Sequence, residues 1–236
     1  MAKNVGVIGA MKGKVGNMVF RTRRGMQIAS VYQPVVHNPK SARQELSRAK
    51  MALATSTLRP LGRFLKIGLG GVAPTYELQR AIGRCIPVDN AVIQIDQQGE
   101  LTFSAVEAAR FLSSAEFGPV RIQQFSVAEE GTVTVVPYAP DGMNIDESGN
   151  NVEVGFVTAV VNRELGTAII QQNVFEGQLW GSVEVQVPVT WSGMSVDVYC
   201  FAKQIPNAIN GISSITTPWM FPAKTSQCVG RTATLA

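Results

Sequence analysis

The stretch SVEVQVPVTWSGMSVDVYCFAK, residues 182–203, decides the fold class of this 236-residue chain. Apolar and polar residues alternate through SVEVQV and SVDVYC, and the short segment SGM stands between the two runs. Alternation with a period of two is typical of strands that bury one face, and Ser and Gly favour turns. The stretch therefore predicts two consecutive antiparallel strands.

Similar runs precede this stretch after Gly118, namely RIQQFSV, TVTVVPY, VEVGFVTAVV and AIIQQNVF. Turn-rich segments separate them at a spacing of about 10 residues, which is typical of antiparallel β-sandwiches. We predict a mainly β protein in which residues 118–236 form an immunoglobulin-like β-sandwich with a C-terminal tail.

Residues 38–117 are predicted to form a helical and hairpin region. Asn38 can cap a helix, Pro39 suits its first position, and one apolar stripe recurs at helical spacing. A second short helix is expected from Pro74, and AVIQI and LTFSA flank DQQGE as a hairpin. The segment VEAARFLSSAEF is compatible with a short helix or a loop. The residues of the apolar stripe are Ala42, Leu46, Ala49 and Leu53.

Residues 1–37 are predicted to form a basic, Gly-rich β arm. The run from Val15 to Arg21 alternates as one strand, and Met26 to Tyr32 continues after the turn TRRG. This pattern predicts a hairpin in which Gly25 supplies a positive φ. The cationic tip would carry Arg21, Arg23 and Arg24.

The charge of the chain is divided unevenly along its length. Residues 1–68 carry thirteen Lys or Arg and one acid, Glu45, whereas residues 69–236 carry eight Lys or Arg and sixteen acids. The net charges are therefore +12 and −8. Such a basic segment binds a polyanion, and the choice between a nucleic acid and the acidic face of a neighbouring copy is open. The candidate contact residues are Lys12, Lys14, Arg21, Arg23, Arg24, Arg43 and Arg48.

The ionisable residues do not form a recognisable reaction centre. His37 is the single histidine, and no nucleophile and carboxylate stand in a catalytic pattern with it. Cys85, Cys200 and Cys228 are widely spaced and are expected to be buried free thiols. The sequence predicts no enzyme activity, no metal site and no cofactor.

Two further features qualify as candidate binding elements. The loop DGMNIDESGNN contains Asp141, Asp146 and Glu147, but its spacing lacks the calcium-loop pattern. It is expected to be a solvated loop, with the hypothesis that it receives the basic arm of a neighbour. Trp191 is expected in the core. The candidate ligand platform, suited to the apolar faces of sugars, consists of Trp180 and Trp219.

The apolar content favours a folded protein without a membrane partner. Hydrophobic residues make up 45% and charged residues 16% of the chain. No apolar run reaches the ~18 residues that span a bilayer, and the N-terminal apolar stretch is short for a signal peptide. Synthesis in the cytoplasm is expected.

Four motifs together resemble a protein family found in Bacteroidota and their phages. They are GVIGAMKGKVGNMVFRTRRG, HNPKSARQELSRAKM, IDQQGELTFS and VQVPVTWSGMSVDVYCFA, in the same order along the chain as in the family. The family is a domain of unknown function, so the resemblance implies no chemistry. Its phage and prophage setting implies a virion component. The last 28 residues depart from the family, which ends in a shorter strand, and are expected to be specific to a partner.

The basic arm and this resemblance together predict a non-enzymatic structural protein of a phage virion. It would be made in the host cytoplasm and become capsid-associated in the virion. Its expected partners are other copies of itself, other virion proteins and the phage genome, the last through non-specific phosphate contacts. The alternative is a bacterial or prophage binding module for nucleic acid or glycan.

Overall fold

The computed structural model describes most of the chain and divides it into two units. The protein is mainly β, with 45% strand and 28% helix. The first unit is Met1–Glu45 and the second is Leu46–Ala236. The described residues are 13–23, 26–32, 40–70, 73–128, 131–145, 149, 151–175, 179–205 and 224–235.

The first unit contains a three-stranded antiparallel sheet. Its strands β1 (Gly13–Val15), β2 (Met18–Arg23) and β3 (Met26–Val31) lie in chain order. The predicted hairpin is present as β2 and β3, with Arg23 opposite Met26. The single strand predicted from Val15 to Arg21 is wrong, because Gly16 has a φ of 57° and turns the chain between Val15 and Met18.

The helices begin with α1 (Ala42–Leu58), which a 3-10 turn (Arg59–Leu61) joins to α2 (Gly62–Leu69). α3 (Pro74–Cys85) starts at the predicted proline. The short helix α4 (Ala105–Ala109) settles the segment whose structure the sequence left open, and Ser104 caps it by accepting a hydrogen bond from the Glu107 amide. The predicted cap, Asn38 and Pro39, lies outside the described residues.

The apolar stripe predicted for α1 is not the stripe that packs. Ala42, Leu46 and Ala49 are exposed, whereas Ala54, Thr57 and Leu58 are buried. Only the second half of α1 reaches the core, so the first half lacks the contacts that its sequence pattern predicts.

The second unit contains eleven strands in its described part. β4 and β5 form the predicted hairpin around DQQGE, in which Asp96 Oδ1 accepts hydrogen bonds from the amides of Gln98 and Glu100. The strands are β4 (Ile93–Ile95), β5 (Leu101–Phe103), β6 (Phe117–Pro119), β7 (Arg121–Val127), β8 (Thr132–Tyr138), β9 (Glu153–Asn162), β10 (Thr167–Phe175), β11 (Val183–Gln186), β12 (Ser195–Ile205), β13 (Ser226–Gln227) and β14 (Val229–Thr234).

Two antiparallel sheets form the body of this unit. One has the order β10-β9-β12-β14 and the other the order β11-β8-β7. The chain crosses between them after β8, after β10 and after β11. A short parallel pair, β6 with β13, lies where β7 and β14 begin.

The four-stranded sheet is buried on both faces. One face packs against the three-stranded sheet through a cluster that includes Phe156, Val198 and Trp191. The other face packs against the helices through a second cluster that includes Phe64 and Phe201. Every residue from Val196 to Lys203 is therefore buried, so the alternation expected of a half-exposed strand is wrong for β12.

A buried ion pair fixes the end of this sheet. Asp197 on β12 is fully buried and accepts hydrogen bonds from Arg163 Nε and, at 2.8 Å, from Thr232 Oγ1 on β14. Arg163 Nη1 donates to the Phe103 carbonyl at 3.0 Å, and the guanidinium lies 5.5 Å from the Phe103 ring centroid. Since both charged groups have partners, the cost of burying the carboxylate is offset.

Two helical glycines should respond oppositely to alanine. A Cβ at Gly68 would lie 2.5 Å from the Leu112 carbonyl oxygen, whereas a Cβ at Gly83 would meet nothing within 4 Å. We expect Gly68→Ala to lower the free energy of unfolding by about 1–3 kcal/mol through overpacking. Gly83→Ala should raise it by about 0.5–1 kcal/mol because alanine loses less backbone entropy. Urea unfolding followed by circular dichroism measures both, and equal effects would contradict the packing described here.

Candidate assembly interface

The N-terminal sheet, β1 to β3, has two chemically different faces. Directly opposed residues in antiparallel strands place their side chains on the same face. Lys14 opposes Val19, which opposes Ser30, and Arg21 opposes Ile28. Val15 opposes Met18, which opposes Val31, on the other face. We call the first the cationic face and the second the apolar face.

The cationic face holds two of the predicted contact residues. Lys14 and Arg21 are both exposed on it. Lys14 Nζ lies 3.6 Å from the centroid of the Tyr32 ring, a cation–π contact that orients the ammonium group without neutralising it. The face can therefore bind carboxylates or phosphates.

The apolar face is the feature that the sequence analysis missed. Val15 is 61%, Met18 43% and Val31 73% exposed, and Phe20 on the same face is half-buried. The sequence signal was present in the pair Gly16 and Asn17, because Gly at the first central position is typical of a type II′ hairpin turn. Placing that turn moves Val15 to the face opposite Val19.

The outer edges of the sheet are also available. Among the described residues, no strand pairs with the outer edge of β1 or of β3. Unpaired edges present backbone donors and acceptors to which another chain can add a strand.

The other predicted contact residues lie on α1 or outside the described part of the chain. Arg43 and Arg48 are exposed on the first half of α1. Arg23 is a residue of β2, and Lys12 and Arg24 fall outside the described residues. A role for these five in binding stays a prediction.

The predicted aromatic platform is described at one of its two positions. Trp180 is 51% exposed, and Trp219 lies outside the described residues. The prediction that Trp191 belongs to the core is confirmed, since it is 4% exposed.

The three cysteines are buried free thiols, as predicted. Burial raises the pKa of Cys85 and of Cys200 to about 12, and it raises the pKa of Cys228 well above its usual value. A thiol whose pKa is raised stays protonated and is a poor nucleophile. The geometry thus favours a packing role for all three.

The predicted acidic loop and the single histidine are only partly described. Asp141 is exposed, whereas His37, Asp146 and Glu147 lie outside the described residues. Within the described part of the chain, no group of three or more His, Cys, Asp or Glu residues is placed to hold a metal ion.

The comparisons with known proteins give no family for this chain. No protein-family model matches it, and no curated protein is similar to it in sequence. The resemblance to the Bacteroidota family therefore stays a prediction. The helices in the described ranges are all too short or too polar to cross a membrane.

Lys203 is a buried cation that the sequence pattern did not single out. It is 1% exposed on β12, and its backbone forms a bridge with Thr225. Burial lowers the pKa of its ammonium group from 10.5 to about 8. Burial of a cation at this point opposes folding at neutral pH.

We expect this lysine to make stability depend on pH. Between pH 8 and 10.5 the unfolded chain binds more protons at Lys203 than the folded chain, so the free energy of unfolding rises with pH. Lys203→Met should remove this rise, whereas Lys66→Met on α2 should keep it. Urea titrations between pH 7 and 9, below the range in which the thiols ionise in the unfolded chain, measure the slope. An unchanged slope in Lys203→Met would contradict the assignment.

Proposed function

We propose that this chain is a non-enzymatic structural protein of a phage virion and that its N-terminal sheet docks on neighbouring subunits. The observation that carries the proposal is the exposed apolar face formed by Val15, Met18 and Val31. A small sheet gains stability by packing an apolar face against another surface. A subunit neighbour supplies that surface in an assembly.

Burial of the apolar face would supply much of the binding free energy. Complete burial of one Val or Met side chain contributes about 1.5–3 kcal/mol, and these three are already partly covered, so each contributes less. Association and ordering cost several kcal/mol, which three side chains do not offset alone. Strand addition at the free edges of β1 or β3 would provide the remaining contacts.

The cationic face would select the partner by charge. Lys14 and Arg21 lie in the segment of net charge +12, and the remainder of the chain has a net charge of −8. A second copy of the chain therefore offers a complementary surface, and the exposed Asp141 belongs to the loop that we suggest as a receiver. Packaged nucleic acid is the other polyanion that this face suits, through phosphate contacts without base recognition.

The virion setting and the immunoglobulin-like class belong to the same proposal. The virion setting rests on the four sequence motifs that resemble the Bacteroidota and phage family. The immunoglobulin-like class is supported by seven strands divided four and three between two packed sheets, with repeated crossings of the chain between them.

Removing the apolar face should abolish assembly. We expect the full-length chain to form large particles of defined mass, measured by light scattering and electron microscopy. The triple variant Val15→Ser, Met18→Ser, Val31→Ser should stay monomeric, because the docking surface is lost. The matched control Ile95→Ser, Val174→Ser, Val189→Ser changes three exposed apolar residues of the second unit and should assemble normally.

Two outcomes would contradict the proposal. One is a full-length chain that stays monomeric at low and high salt, and the other is a triple variant that assembles like the unaltered chain. A monomer that binds duplex DNA with steep salt dependence, lost in Lys14→Ala, Arg21→Ala, would replace it with a genome-binding accessory protein.

A further inference from the structure

The exposed Trp180 stands in a row with two other side chains across the three-stranded sheet β11-β8-β7. Arg121 on β7 opposes Tyr138 on β8, and Tyr138 forms an antiparallel bridge with Trp180, which precedes β11. Opposed residues share a face, so the three side chains form one continuous row. Val135 and Pro137 face the core, which places this row on the solvent side of the sheet.

A hollow of about 240 Å³ adjoins the row and carries two opposite charges. Arg121, Tyr138 and Asp141 line it, and both charged residues are exposed. Among the described residues, neither Arg121 nor Asp141 forms an ion pair. A guanidinium and a carboxylate are thus available beside a half-buried tyrosine ring and an exposed indole.

The remainder of this sheet face is polar and mostly uncharged. Gln124 opposes Val136, Ser126 opposes Thr134, and Thr134 opposes Glu184. Thr132 opposes Gln186 and donates a hydrogen bond to its side-chain oxygen at 3.1 Å. The face therefore offers hydroxyl and amide groups beyond the aromatic row, with Glu184 as the charged residue of these rows.

We propose that the row Arg121, Tyr138 and Trp180, with Asp141, is a binding site for a neutral oligosaccharide. The indole and phenol rings suit the apolar C–H faces of sugar rings, and the guanidinium and carboxylate suit paired hydroxyl groups through charge-assisted hydrogen bonds. A row across three strands spaced about 4.8 Å apart is roughly 10 Å long, which accommodates a disaccharide unit.

The charge and polarity of the face select this ligand class. A nucleic acid requires a cluster of cations, and this face offers Arg121 against Asp141 and Glu184. A folded protein partner requires a more apolar centre than Val136 with the surrounding Gln, Ser and Thr residues. Neutral sugars need aromatic surface together with hydroxyl and amide partners, which this face combines.

The oligosaccharide site is independent of the N-terminal sheet. It uses residues of the second unit alone, so a chain that fails to assemble can still bind sugar, and a chain that fails to bind sugar can still assemble. The two proposals are therefore tested separately.

The test uses the full-length chain and five neutral probes. They are the hexasaccharides of β-1,4-glucose, α-1,4-glucose, β-1,4-xylose, β-1,4-mannose and β-1,4-N-acetylglucosamine, with binding measured by isothermal titration calorimetry. We expect saturable binding of at least one. Trp180→Ala should weaken it about tenfold or more, and Trp180→Phe should weaken it less because a ring remains. Arg121→Ala and Asp141→Ala should each weaken it by several fold.

The matched control is Tyr76→Ala, which removes an aromatic side chain that is 49% exposed on α3 and should leave affinity unchanged. Circular dichroism and urea unfolding establish that each variant is folded, and Trp180→Phe keeps the test valid if Trp180→Ala is not. The proposal is overturned if none of the five sugars binds, or if Trp180→Ala binds as the unaltered chain does. Binding of decaproline without any sugar binding would also overturn it, in favour of a proline-rich peptide.

Discussion

The burial of β9 and β12 on both faces is the constraint on which the rest of the second unit depends. These central strands of the four-stranded sheet are covered by helices on one side and by the three-stranded sheet on the other. Apolar surface on both sides of a sheet requires two further layers to exclude water. The helices α1 to α4 and the strands β7, β8 and β11 supply those layers. The one charge at the centre of β12 near its start, Asp197, is accommodated because Arg163 and Thr232 reach it.

The elements of this architecture were predictable where one local pattern determines them. The alternating runs gave the strands β7 to β12, Pro74 gave the start of α3, and DQQGE gave the hairpin of β4 and β5. The helix-covered face of β12 was not predictable in the same way, because the alternation of Asp197 and Tyr199 with valines imitates a half-exposed strand. Which face of a strand is covered depends on residues far away in the sequence.

The N-terminal unit illustrates the same limit at the scale of a turn. Its cationic residues were identified from composition, because charge is a property of the residue types alone. Its apolar face depends on a single turn at Gly16, which shifts Val15 to the side of Met18 and Val31. One misplaced turn exchanges the two faces of a strand. The register of the sheet, more than its composition, therefore determines which of its residues can dock on a partner.

The burial of the three thiols has a practical consequence for work with this protein. Cys85, Cys200 and Cys228 are all of the cysteines in the chain, and each is buried with a raised pKa. Thiol-directed dyes and cross-linkers react with exposed thiolates. A single cysteine introduced on the surface of the folded chain would therefore carry a fluorophore or spin label at one defined position, with the native cysteines left in place.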